Sequence, residues 1–173
     1  AGDIRKRARG GQKFSDFAVL YRTNAQSRAL EEKFINENIP YRIVGGVNFY
    51  GRREIKDVLA YLKTIDNPRD DLSCKRIINV PRRGIGASTV SKVSDYAVIN
   101  DMGFYEALLD DECTGSIGRS QKKLKDFTSF IESLKARAGI LSVEKLIRDV
   151  IELTGYVSEL KLEGTDEADA RIE

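Results

Sequence analysis

The sequence predicts an α/β segment followed by an all-α one: a partial parallel sheet in β-α-β-α order, then a mostly helical domain. Three observations carry this. Two short apolar runs, Phe17-Ala-Val-Leu-Tyr21 and Tyr41-Arg-Ile-Val44, alternate with helical patterns in the first third of the chain, the order that builds parallel sheets. From Asp70 onward every apolar repeat has helical spacing. Asn67-Pro68 separates the two regimes. The 173 residues suffice for one ordinary domain or two small ones.

Phe17–Tyr21 is continuously apolar, the mark of a strand covered on both faces. Thr23 or Asn24 can cap the next helix, Ala25 to about Asn36, which turns Ala29, Leu30 and Phe34 toward the sheet. Pro40 stops it, and Tyr41–Val44 alternates like a strand before Gly45-Gly46. A second helix, Arg53 to Ile65, places Ile55, Val58, Leu59 and Leu62 on one face. Two strands and two helices are too few to close such a sheet, so the rest is expected from chain beyond this sequence.

The helical part begins with Leu72 to about Val80, stopped by Pro81. Ser88 or Thr89 opens a helix carrying Val90, Val93 and Ala97, and Phe104–Leu109 is a short one. Asp110 to Arg119 is polar and contains glycine, which predicts a loop. Leu124, Phe127, Ile131 and Leu134 form a long amphipathic stripe. Ser142 caps another helix that stops at Gly155. Tyr156–Leu162 adds one or two turns, and Asp166 to Glu173 reads as the opening of a further helix. There is no internal repeat.

Composition mostly excludes. With no histidine, imidazole general bases, Ser-His triads and His-ligated metals are ruled out. Cys74 and Cys113 lie far apart, which predicts two ordinary thiols in a reduced, cytoplasmic chain. No apolar run approaches the roughly 20 residues of a membrane span, so no membrane partner is expected. The basic start, Arg5-Lys6-Arg7 with Arg9, lacks the apolar stretch of a secretory signal. No GxxxxGK[ST] motif occurs, no carboxylate pair stands out, and Glu31-Glu32 reads as a solvated helix face. No catalytic residue, metal or cofactor is expected in this chain.

Charge is balanced overall at +2, against the strongly basic sum usual for nucleic-acid binders, but it is unevenly spread. Residues 75–92 hold Lys75, Arg76, Arg82, Arg83 and Lys92 with no acid. Inside that stretch lies Val80-Pro-Arg-Arg-Gly-Ile-Gly-Ala-Ser-Thr89. Gly84 and Gly86 flank Ile85, which predicts a tight helix-hairpin-helix-like turn with Ile85 plugging the core. The helix start downstream offers free N–H groups and a partial positive charge, an anion cradle beside Arg82 and Arg83. Ala87 continues this edge, while Ser88 and Thr89 add hydroxyl donors or cap the helix. Such a surface suits a DNA backbone without sequence readout; a plain helix-to-helix turn with solvated arginines is the alternative. A second candidate is Arg22 with Asn24 at the carboxyl end of the first predicted strand, where ligands bind in open α/β sheets. Against it, Asn24 is a helix cap and Arg22 a solvated rim residue. The aromatics Phe49 and Tyr50 serve either base stacking or a satellite core.

Phe17-Ala-Val-Leu-Tyr-Arg-Thr-Asn-Ala-Gln-Ser-Arg28, Ile39-Pro-Tyr-Arg-Ile-Val-Gly-Gly46, Arg53-Glu-Ile-Lys-Asp57 and Ile78-Asn-Val-Pro-Arg-Arg-Gly-Ile-Gly86 stand in one order. Together with Ala60-Tyr-Leu62 and Ala170-Arg-Ile-Glu173, they closely resemble the UvrD/PcrA-type DNA helicases of superfamily 1A. The resemblance runs from about residue 14 to the end and is weakest between Asp110 and Ser142. It implies a piece of a larger motor that hydrolyses ATP with Mg²⁺ and moves 3′ to 5′ on single-stranded DNA, unwinding duplex. Residues 1–66 are similar to part of a RecA-like domain called 2A, and 67–173 to the first portion of the inserted 2B domain. Arg22 and Asn24 match positions along the single-strand track, and Arg82 through Thr89 match a turn that grips duplex phosphates. Asn48 departs from the basic residue common there. The implied partners are duplex and single-stranded DNA, the remaining helicase domains and accessory repair proteins. A protein-interaction module without DNA affinity is the alternative reading.

Overall fold

A computed structural model describes residues 1–22, 25–45 and 49–172, apart from the side chains of Ala25 and Ala170. The chain divides into two compact units, residues 1–56 and 57–172. Helix α3 (Arg53–Asp66) contains the division.

In the first unit, α1 (Gly2–Arg9) and α2 (Ala25–Asn36) are the regular elements, with 3-10 turns at Phe14–Asp16 and Phe49–Gly51. The sheet expected here is not formed: among the described residues there is no strand. Residues 17–21 and 39–43 carry no regular structure and enter no ladder. An apolar strand needs hydrogen-bonding neighbours along its edges as well as cover on its faces. Apolar patterning reports only the second. Here Phe17, Val19, Ile39 and Tyr41 instead line a cavity of about 730 Å³ together with Leu30 and Phe34 of α2, while Leu20 and Val44 stay exposed. Ala29, expected to face a sheet, is exposed too. Helix α1 was not legible because it buries no residue.

Glu31 also departs from expectation: it is buried, and its carboxylate accepts from Ser27 Oγ (3.0 Å), Tyr41 Oη (3.3 Å) and the Phe49 N–H (3.3 Å). Burial, then the Glu31 charge, raises the Tyr41 phenol. Glu32 is the solvated one, paired with Arg28 at 2.9 Å.

The second unit continues α3 and adds α4 (Asp71–Ile77), α5 (Ala87–Ile99), α6 (Phe104–Leu109), α7 (Asp111–Ser116), α8 (Gln121–Ala138), α9 (Val143–Thr154), α10 (Tyr156–Glu163) and α11 (Asp166–Ile172). Its core joins Tyr61 of α3, Cys74 and Ile77 of α4, Val93 of α5, Phe104 and Leu108 of α6, and the α8 stripe Leu124, Phe127, Ile131 and Leu134. Both cysteines are free and buried. The predicted α8 stripe is buried along its whole length, Ser142 caps α9, and Gly155 ends it with φ 73°. The predicted loop Asp110–Arg119 contains α7, because Asp110 Oδ1 accepts from the N–H groups of Glu112 and Cys113 and starts a helix that buries Cys113 and Thr114. Among the described residues no helix is long and apolar enough to cross a membrane.

Candidate nucleic-acid interface

The turn between α4 and α5 is built from its polar side chains outward. Asp70 caps α4 by accepting from the Ser73 N–H at 3.0 Å. After Ile77 the chain turns through Ile78, Asn79 and a cis Val80–Pro81 peptide. Asn79 Oδ1 accepts from two backbone N–H groups, Arg83 at 2.8 Å and Ile85 at 3.1 Å, and so closes the loop. Gly84 sits at φ 70°, a left-handed backbone that favours glycine. Its carbonyl accepts from Lys123 Nζ of α8 at 3.0 Å. Ile85 is buried in the core, as the sequence predicts.

Helix α5 then starts one residue earlier than Ser88, at Ala87, with Gly86 in the cap position and no side-chain cap. Gly86, Ala87 and Ser88 are exposed, and the N–H groups of Ala87 and Ser88 have no partner among the described residues. The positive end of α5 therefore faces solvent. Thr89 does not share that edge; it is buried and donates to Ser120 Oγ at 3.2 Å.

The two arginines diverge. Arg82 is exposed, its side chain enters no ion pair among the described residues, and its backbone N–H donates to Glu159 at 3.3 Å. Arg83 points inward. Its Nη1 donates to the carbonyls of Ile77 and Val80 (3.1 Å each) and Pro81 (3.2 Å), and its Nη2 donates to Tyr61 Oη at 2.6 Å. The guanidinium carbon lies 5.9, 5.5 and 5.8 Å from the ring centres of Tyr61, Phe127 and Phe130. Tyr61 Oη donates in turn to the Val80 carbonyl, and burial pushes its phenol up to about 12 against the opposing pull of Arg83.

Two further cations of the acid-free stretch are engaged as well. Arg76 Nε meets the buried Asp57 at 2.7 Å. Lys75 lies 3.8 Å from Asp71 and over the Phe104 ring. What faces solvent at the turn is the Gly86–Ser88 backbone, Arg82, and Lys123 supplied by α8.

Within the first unit, Arg22 is exposed and its N–H donates to Gln26 Oε1 at 3.0 Å. Asn24 and Asn48 lie outside the described residues. Phe49 is half-buried under Arg28, whose guanidinium is 4.7 Å from its ring centre, and Tyr50 is exposed.

A family model described as UvrD-like helicase C-terminal domain matches residues 1–114, the greater part of the chain and the whole of the turn. The chain belongs to that family. Proteins named ATP-dependent DNA helicase PcrA are similar to it. The one from Staphylococcus aureus is 43% identical over 171 residues, covering 99% of this chain and 23% of the relative. The one from Bacillus subtilis is 43% identical over 164 residues, covering 95% and 22%. This UvrD-like chain thus spans about a quarter of the length of the curated relatives it matches.

Two contributors to the UvrD-like turn escaped sequence reasoning. Asn79 carried a usable signal, since an asparagine entering a turn commonly bonds nearby backbone. Lys123 carried none, because it arrives from a helix 39 positions away.

Proposed function

We propose that this chain is a DNA-holding piece of an ATP-dependent helicase that moves 3′ to 5′ along single-stranded DNA. In this reading residues 1–66 belong to motor domain 2A and lend Arg22 and Asn24 to the single-strand track. Residues 67–173 are the first portion of domain 2B, whose Gly84 turn holds duplex phosphates. The remaining helicase domains are its partners and carry the ATP and Mg²⁺ chemistry. The chain itself has no GxxxxGK[ST] motif.

The observation that carries the reading is the exposed start of α5. The N–H groups of Ala87 and Ser88, without partners among the described residues, follow Arg82 in the same turn, on a stretch from 75 to 92 without an acidic residue. N–H groups and cations address phosphate oxygens whatever the base sequence. So few free cations keep binding weak, on the order of 10⁻⁴ to 10⁻⁶ M at physiological salt, and those that meet phosphates make it salt-sensitive. That suits a motor part that must let go at each step.

Titrating the chain with a short duplex of arbitrary sequence, followed by fluorescence anisotropy, tests the proposal. Arg82→Ala should weaken binding and reduce the slope of log K against log salt by about 1. Unchanged affinity and slope would sink it. A second reading, docking of accessory repair proteins, draws on apolar side chains left exposed: Val98 and Ile99 ending α5, Ile140 after α8 and Val143 opening α9. Partner capture that survives Arg82→Ala, from a chain that never binds duplex, would favour it.

A further inference from the structure

The geometry points to opposite tasks for two adjacent arginines. Arg82 meets phosphates, whereas Arg83 is a positioning residue that holds the turn's backbone in its DNA-facing shape. This rests on the duplex-holding reading above.

Helix α4 ends without its last carbonyls paired inside the helix, as every helix does. Arg83 reaches the last of them and the turn beyond: one guanidinium nitrogen gathers the carbonyls of Ile77, which ends α4, and of Val80 and Pro81 in the turn, and the other reaches Tyr61 Oη on α3. The positive charge therefore sits at the negative end of α4 and against three aromatic rings. From the opposite side Asn79 Oδ1 holds the Arg83 and Ile85 N–H groups. Between them the two side chains fix the path from Ile78 to Gly86, and so the direction in which the Ala87 and Ser88 N–H groups point.

A planar fork is needed for this. Lysine keeps the charge but offers one compact ammonium, which cannot serve three carbonyls and a phenol while stacking on rings. At a phosphate the situation reverses, because lysine serves there as a point charge. Arg→Lys therefore separates the two tasks. Salt dependence separates them again: cations that meet phosphates release counterions and set the slope, while backbone N–H contacts release none.

The experiment is a duplex titration over a range of salt for the full chain and its variants, with amide hydrogen exchange on the free proteins. Arg83→Lys is expected to lose about tenfold in affinity, roughly the worth of one good charged hydrogen bond. Its salt slope should be unchanged, and exchange at the Ile85 amide should speed up. Arg82→Lys should stay near the unsubstituted chain in all three readouts. Asn79→Ala should reproduce the Arg83→Lys pattern, which keeps the test decisive if Arg83→Lys does not fold. Wild-type affinity in Arg83→Lys, with a slope reduced by about 1 in Arg83→Gln, would overturn the assignment and make Arg83 a phosphate contact. Failure of the unsubstituted chain to bind duplex would instead overturn the duplex-holding reading. Ile85 exchange unaltered in Arg83→Lys and Asn79→Ala would separately refute the positioning role.

Discussion

Ile85 occupies the tip of the turn yet is almost fully buried, at 1% exposure. Truncating it removes three carbons from a packed interior while the solvent-facing N–H groups next door stay chemically intact. Ile85→Ala should cost about 2–5 kcal/mol, read as a lower urea midpoint with an unchanged denaturant slope. Arg82→Ala should leave that midpoint where it is, since an exposed cation without an ion pair adds little to stability. At this scale the sequence was half legible. Gly-Ile-Gly announces both a tight turn and its apolar plug, because glycine and a lone aliphatic residue have few other reasons to sit together. Nothing distinguishes Arg82 from Arg83 in one dimension. Only the carbonyls of Ile77, Val80 and Pro81, brought together by the fold, make one arginine interior and its neighbour exterior.

Among the elements, α3, α4 and α10 are tied by one carboxylate. Asp57 is buried and accepts from Arg76 Nε of α4 and from Tyr156 Oη of α10, each at 2.7 Å. Removing it takes the carboxylate acceptor from the buried Tyr156 phenol and from Arg76, whose side chain keeps partial access to water. Asp57→Ala should destabilise the second unit by about 3 kcal/mol, and Tyr156→Phe by about 1–2 kcal/mol, measured by chemical denaturation. Helices with an apolar stripe and a cap could be read directly: Phe104–Leu109 as predicted, α8 from its stripe, α9 from Ser142 and Gly155. Helix α7 could not, since its start depends on the Asp110 side chain bonding backbone in a stretch with the composition of a loop. The predicted strands failed for a different reason. Val19, Ile39 and Tyr41 are apolar because they line a cavity, and a cavity wall leaves the same trace in sequence as a sheet face.

For the molecule as a whole, charge is the instructive property. Of the five cations in the acid-free stretch, Lys75, Arg76 and Arg83 are engaged inside the second unit, leaving Arg82 and Lys92 to solvent. The lack of histidine predicts stability that is flat between about pH 6 and 8. Alkaline pH is another matter. Burial raises Tyr61 from 10.0 and Cys74 from 9.0, each to about 12, and it raises Tyr105 further with help from Glu132. The fold thus prefers the neutral forms. Each contributes its stability in full below its ordinary value and loses it as pH climbs toward about 12. Urea midpoints should hold to about pH 9 and then fall steeply.

The two cysteines give the second unit a built-in clock. They are the only thiols in the chain, they sit in α4 and α7, and both are fully shielded. A thiol reagent added to native protein can react only through an opening event that lets it in, so the labelling rate counts excursions from the native state. Because Cys74 belongs to the helix leading into the turn and Cys113 to a short capped helix, their separate rates distinguish breathing near the turn from breathing elsewhere. DNA that closes over the turn should slow the first clock more than the second.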